Sequence, residues 1–124
     1  YYSFLEIELL SCGDNKLKTL NVEGFQELSS LAAMFNELTS VNVKNCPELE
    51  GISLNHNKLN SIDFTGCKDI RLVDIAINKF TVDNALKMIA SLPKASADNK
   101  GYVIYWDKET FPDDEEGNIY EYLY

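Results

Sequence analysis

Four asparagines stand 21 residues apart, at Asn15, Asn36, Asn57 and Asn78. Each precedes an apolar residue by two positions, in Asn15-Lys16-Leu17, Asn36-Glu37-Leu38, Asn57-Lys58-Leu59 and Asn78-Lys79-Phe80. A polar residue that recurs inside an apolar register marks the inner corner of a solenoid coil. There its side-chain amide satisfies backbone groups that neither sheet nor helix reaches.

The register extends well beyond the asparagines. Repeats start at Ile7, Leu28, Leu49 and Ile70, and three residues on come Leu10, Leu31, Ile52 and Val73. Cys12, Ala33, Leu54 and Ile75 follow, then the Asn column, then Leu17, Leu38, Leu59 and Phe80. The second half of each coil repeats the spacing, with columns Leu20-Val41-Ile62, Val22-Val43-Phe64 and Phe25-Cys46-Cys67. Only the Asn column is polar, in a chain that is 45% hydrophobic. That contrast identifies a repeat rather than an amphipathic run. Within each half, LxL is strand periodicity, two side chains inward and one outward. Short parallel strands are expected around 10–12, 31–33, 52–54 and 73–75, with second extended segments near 20–22, 41–43 and 62–64. Ten or eleven residues per half leave no room for a full helix between them.

These residues resemble the leucine-rich repeat family, LxxLxLxxNxL, in its bacterial doubled 21-residue (IRREKO-like) form. The resemblance covers about 7–80, with Ala33 for a large apolar residue and Phe25 for a Cys as departures. It implies an α/β solenoid: a right-handed coil with short parallel strands and few helices. It further implies a cell-surface or secreted bacterial protein, lipid-anchored in its precursor, that contacts another protein or a glycan.

After Phe80 the repeat breaks, because the next coil would need an apolar residue where Asp83 stands. Val82, Ala85, Leu86, Ile89 and Leu92 follow helical spacing instead. Thr81 can cap a helix over 82–91, Asp83 suits its dipole and Pro93 closes it. A polar loop is expected over 94–100, a strand over 102–106, an acidic loop over 107–117 and an antiparallel strand over 119–124. The chain thus reads as one domain: a partial coil at 1–6, repeats over 7–80 and a helix-plus-hairpin cap over 81–124. Tyr1 and Phe4 fall on the Val22 and Phe25 positions of a preceding coil. Either 1–6 is an improvised cap, or earlier coils have been removed by processing.

Chemistry is sparse. Twenty acidic against 11 basic side chains, net −9, disfavours nucleic-acid backbones and anionic membrane surfaces. No apolar run approaches the roughly 20 residues that span a bilayer. Cys12, Cys46 and Cys67 have no CxxC pairing and no short spacing to His56, the only histidine, so neither zinc nor a thiol nucleophile is expected. Cys46 and Cys67 share the apolar column of Phe25 and read as unpaired space-fillers. The run Asp113-Asp114-Glu115-Glu116 lacks calcium-loop spacing and reads as solvated. No catalytic residue, metal or cofactor is expected.

Two surfaces remain as candidates. The column Asp14, Phe35, His56 and Ile77, flanked by Met34 and Ala76, stacks into an apolar contact patch if exposed. The other reading tucks Phe35 and Ile77 into the turn and leaves His56 solvated. Tyr105, Trp106 and Tyr122 could form an aromatic face on the C-terminal cap, or pack over its end. The expected role is a non-enzymatic recognition module. The alternative is a solenoid segment of a larger protein that stacks or self-associates through its open N-terminal coil.

Overall fold

The computed structural model describes residues 6–94 and, by backbone alone, Tyr102–Ile104 and Tyr122–Leu123. The described residues form a parallel-strand solenoid of about three turns with one helix. The first strands of successive coils are β1 (Leu9–Ser11), β3 (Ser30–Ala32), β5 (Gly51–Ser53) and β6 (Leu72–Asp74). On the second side lie β2 (Thr19–Asn21) and β4 (Ser40–Asn42). β1, β3, β5 and β6 pair in parallel with a register shift of one repeat: Leu10 faces Leu31, Leu31 faces Ile52, and Ile52 faces Val73. Each strand is centred one residue before the expected bounds. Pairing is symmetric about the inward residue Leu10 or its equivalents, and the next inward residue already bends into the corner.

The core is the stack of apolar columns. Leu28, Leu49, Leu38, Leu59, Leu54 and Ile75 are each 0% exposed. Burying a side chain of this kind contributes roughly 1.5–3 kcal/mol. In the first coil Ile7, Leu10, Cys12, Leu17, Leu20 and Phe25 are only half-buried. A solenoid coil needs a neighbour on both sides to bury its apolar residues.

The two corners of each coil share one backbone device. Asp14, Phe35, His56 and Ile77 all have φ between 53° and 58°, and on the opposite corner Gly24, Asn45 and Gly66 have φ of 77°, 58° and 83°. This left-handed conformation costs a non-glycine residue about 1–2 kcal/mol. At the first corner the N–H of the left-handed residue donates to the next coil, Phe35 to Asn55 O at 3.1 Å and His56 to Ala76 O at 3.1 Å.

The Asn ladder sits beside it. Asn36, Asn57 and Asn78 are buried, whereas Asn15 is exposed. Asn57 Oδ1 accepts the N–H of Leu38 at 3.0 Å, and Asn57 Nδ2 donates to Leu54 O at 3.0 Å and Ala33 O at 2.9 Å. Asn36 and Asn78 repeat the pattern onto Leu17, Ala33 and Cys12 and onto Leu59, Ile75 and Leu54. Asn15 bonds only within its own coil, to Cys12 O and Gly13 O. Its burial was implied by the register; it stays exposed because no described coil lies beneath it.

The third coil departs from expectation on its second side: the segment near 62–64 is not a strand. Helix α1 (Val82–Ser91) lies against it instead, and Ser91 Oγ accepts the N–H of Phe64 at 3.1 Å. Thr81 caps α1 by accepting the N–H of Asn84 at 3.2 Å, and Met88 is its buried residue. β7 (Tyr102–Ile104) adds to β6 in parallel, and β8 (Tyr122–Leu123) pairs with β7 antiparallel, both inside the expected strands. The polar loop beyond Lys94 and the acidic run at 113–116 lie outside the described residues.

Candidate functional site

Two residues of the candidate patch are brought together on the first corner. Phe35 and His56 stack with ring centroids 4.1 Å apart and an interplanar angle of 17°. Their side chains stand outside the core because a left-handed residue at the corner turns its Cα–Cβ bond away from the coil interior. Phe35 is 48% exposed and His56 is exposed, whereas Ile77, Ala76 and Met34 are half-buried. The outcome lies between the two sequence readings: the aromatic pair is a surface ridge, and Ile77 is partly withdrawn.

Met34 borders the ridge by lying over Gly13 of the coil below. A Cβ on Gly13 would come 2.9 Å from Met34 Sδ, so the absence of a side chain makes that contact possible.

A polar network fixes the other border. Asn55 Nδ2 donates to Asp74 Oδ2 at 2.9 Å and to Ser53 Oγ at 3.2 Å, while Asp74 Oδ1 accepts the N–H of Ala76 at 3.2 Å. A carboxylate is acceptor-only, so the NH₂ of Asn55 must face Asp74 and its Oδ1 must face His56. His56 Nδ1 lies 2.9 Å from that oxygen and therefore carries a proton. Hence Asp74, Asn55, His56 and Phe35 form one connected chain, of which the sequence columns join only Phe35 and His56. Asn55 and Asp74 lie outside the inward columns, and their contact across 19 residues is set by the stacking of the coils.

The cysteines show a relationship that residue type concealed. Cys46 Sγ donates to Val22 O at 3.1 Å and Cys67 Sγ to Val43 O at 3.0 Å, each reaching back 24 residues. That offset is the one by which Asn57 Nδ2 reaches Ala33 O. The thiols are thus the second corner's weaker counterpart of the Asn ladder as well as space-fillers. Burial raises the pKa of all three thiols, and that of Cys67 reaches about 11. A thiol so placed is not a nucleophile at neutral pH.

Among the described residues no group of three His, Cys, Asp or Glu could hold a metal, and no helix is long and apolar enough to cross a membrane. An open groove lined by Glu8, Gln26, Glu27, Ser29, Glu48 and Glu50 gathers carboxylates but no counter-charge. Tyr105 and Trp106 lie outside the described residues, and Tyr122 is described only through its backbone in β8.

No family model matches the chain, nor does any curated protein or solved structure.

Proposed function

We propose that this chain is a non-enzymatic recognition module of the leucine-rich repeat type, serving at a bacterial cell surface. It binds another protein through Met34, Phe35, His56, Ala76 and Ile77. The observation that carries the reading is the exposed Phe35–His56 stack. Its rings are already ordered by each other, by a φ-restricted backbone and, for His56, by Asn55. Binding through such a pair forfeits little side-chain entropy, and rigid aromatic anchors dominate the energetics of protein interfaces.

A protein is favoured over a glycan because the stack covers one face of each ring. A saccharide ring packs on an open aromatic face, whereas an apolar side chain can pack on ring edges. Met34 supplies an adaptable apolar border, and Asn55 and Asp74 supply a polar rim.

The test is a photo-crosslinking amino acid placed at Met34 and, separately, at Asn45 on the opposite corner, in the cells that make the protein. An adduct of defined mass is expected from position 34 alone, and Phe35→Ala should abolish it. Equal adducts from both positions, or persistence with Phe35→Ala, would reject the patch. A glycan array on which binding depends on Phe35 would replace the protein partner with a saccharide.

A further inference from the structure

We infer that His56 Nε2 is the hydrogen-bond acceptor through which the corner patch reads its partner. Asp74 and Asn55 are positioning residues that hold the ring in its accepting form, and acid releases the partner. This rests on the corner patch being the binding face. It names what that face requires of its occupant, an N–H or O–H donor set opposite His56.

The network leaves one polar atom of the ridge to be filled. Asp74 Oδ2 accepts from Asn55 Nδ2 at 2.9 Å, and Asp74 Oδ1 accepts the N–H of Ala76 at 3.2 Å. Asn55 Nδ2 also donates to Ser53 Oγ at 3.2 Å, and Asn55 Oδ1 faces His56 Nδ1 at 2.9 Å. Each of these atoms has a partner within the chain. His56 Nε2 has none among the described residues, and its ring is exposed. A partner packed against Phe35 and His56 displaces water from Nε2. An acceptor buried without a donor weakens binding, so the fitting partner is one that brings a donor there.

The tautomer is set from Asp74 outward. A carboxylate only accepts, so Asn55 turns its NH₂ to Asp74 and its oxygen to His56. The neutral imidazole then keeps its proton on Nδ1 and its lone pair on Nε2. A solvated imidazole favours the opposite tautomer, so the relay holds the ring against its own preference. The stack on Phe35, with centroids 4.1 Å apart and planes at 17°, fixes the ring plane and with it the direction of the lone pair.

Acid changes that one atom. The added proton enters at Nε2, while Nδ1–H keeps its bond to Asn55 Oδ1. A cation on the face of Phe35 is also favourable, so the ridge keeps its shape. The acceptor becomes a donor and faces the partner's donor. Of the charged residues near this position along the stack, Asp74 and Lys79 belong to the coil above, Lys58 to the same coil, and Glu37 and Asp14 to the coils below. Among them Asp74 alone is joined to His56 by hydrogen bonds, through Asn55.

His56 is the only histidine, so isotope-labelled histidine reports it alone. Long-range proton–nitrogen NMR of the full chain should show the neutral ring protonated at Nδ1. Asp74→Asn offers an NH₂ to Asn55, which lets the Asn55 amide turn over and donate to Nδ1, so the proton should move to Nε2. A backbone amide spectrum matching that of the unaltered chain checks that the variant is folded. The photo-crosslink from position 34 should form where the ring signals show His56 neutral, and fall by at least about tenfold where they show it protonated. A ring protonated at Nε2 in the unaltered chain, or a tautomer unmoved by Asp74→Asn, would overturn the inference and leave the corner patch standing. So would a Phe35-dependent adduct equally strong with His56 neutral and protonated. No Phe35-dependent adduct at any pH would reject the patch, and this inference with it.

Discussion

The amide oxygen of Asn57 accepts the backbone N–H of Leu38, 19 residues earlier, at 3.0 Å. With its Nδ2 on the carbonyls of Ala33 and Leu54, one side chain satisfies three backbone groups in two coils. Asn57→Ala should therefore cost about 1–3 kcal/mol in a denaturant melt, from buried groups left unpaired. Asn15→Ala, exposed and bonded only locally, should stay within about 0.5 kcal/mol. Equal effects at the two positions would mean that Asn57 is solvated. Asn57→Asp keeps the acceptor for Leu38 but turns a carboxylate toward two carbonyls. It should destabilise most at neutral pH and recover as acid protonates the new carboxyl.

The Cys67 thiol is pushed up to about 11 by burial, from an ordinary value of 9.0, against the lowering effect of a backbone hydrogen bond at Cys46. Below the ordinary value both folded and unfolded chains hold the proton. Between the two values the unfolded chain releases it and the folded chain does not. Stability should therefore be unaffected below pH of about 9 and fall as the pH rises toward about 11. Cys67→Ser can still donate to Val43 O and should flatten this alkaline slope, as read from denaturant midpoints across the window. Labelling of unfolded, unreduced protein should find three thiols; finding one would indicate a disulfide.

Asn45 holds the left-handed corner that Gly24 and Gly66 hold in the neighbouring coils. Asn45→Gly should raise stability by a few tenths to about 1 kcal/mol, because only glycine adopts that backbone without steric cost. Gly66→Ala should lower it by more than about 1 kcal/mol: φ is 83°, and the new Cβ would come 2.9 Å from the backbone N and Cα of Asn45. Thermal melts of the two variants should move in opposite directions.

Phe35 and His56 should be coupled. A double-mutant cycle with alanine at each position should return about 0.5–1 kcal/mol of interaction energy, the range for aromatic contacts on a partly solvated surface. Zero coupling would mean that the rings are not stacked in solution.

Ser91 stands where a fourth coil would have supplied a backbone acceptor for Phe64. Ser91→Ala should cost about 1 kcal/mol by leaving that N–H unpaired, with the change read from the denaturant midpoint. Ser91→Thr keeps the hydroxyl and should restore most of it.

The coil, its 21-residue step and the inward columns were legible in the chain because they follow from periodicity. Leu10, Leu31, Ile52 and Val73 must share a face if they are to be buried at all, and the register follows. Helix α1 was legible for the same reason: Thr81 caps it and its apolar spacing changes from two to three or four. What periodicity could not distinguish was an interior coil from a terminal one. Asn15 has the same sequence context as Asn57, yet it is exposed, because its burial depends on a neighbour rather than on its own residues. The missing third strand near 62–64 is the mirror case, where α1 replaces the coil above.

The candidate site divides the same way. Spacing alone places Phe35, His56 and Ile77 in one corner column. That the first two stack outside the core, and that Asp74 holds Asn55 against His56, follows only from the stacking of the coils. Backbone dihedrals at the corner set those side-chain directions, and they are selected by hydrogen bonds between coils that no local pattern encodes. The cysteines carry the same lesson: their column was readable as apolar, but their role as donors to carbonyls 24 residues back exists only once the coils are stacked.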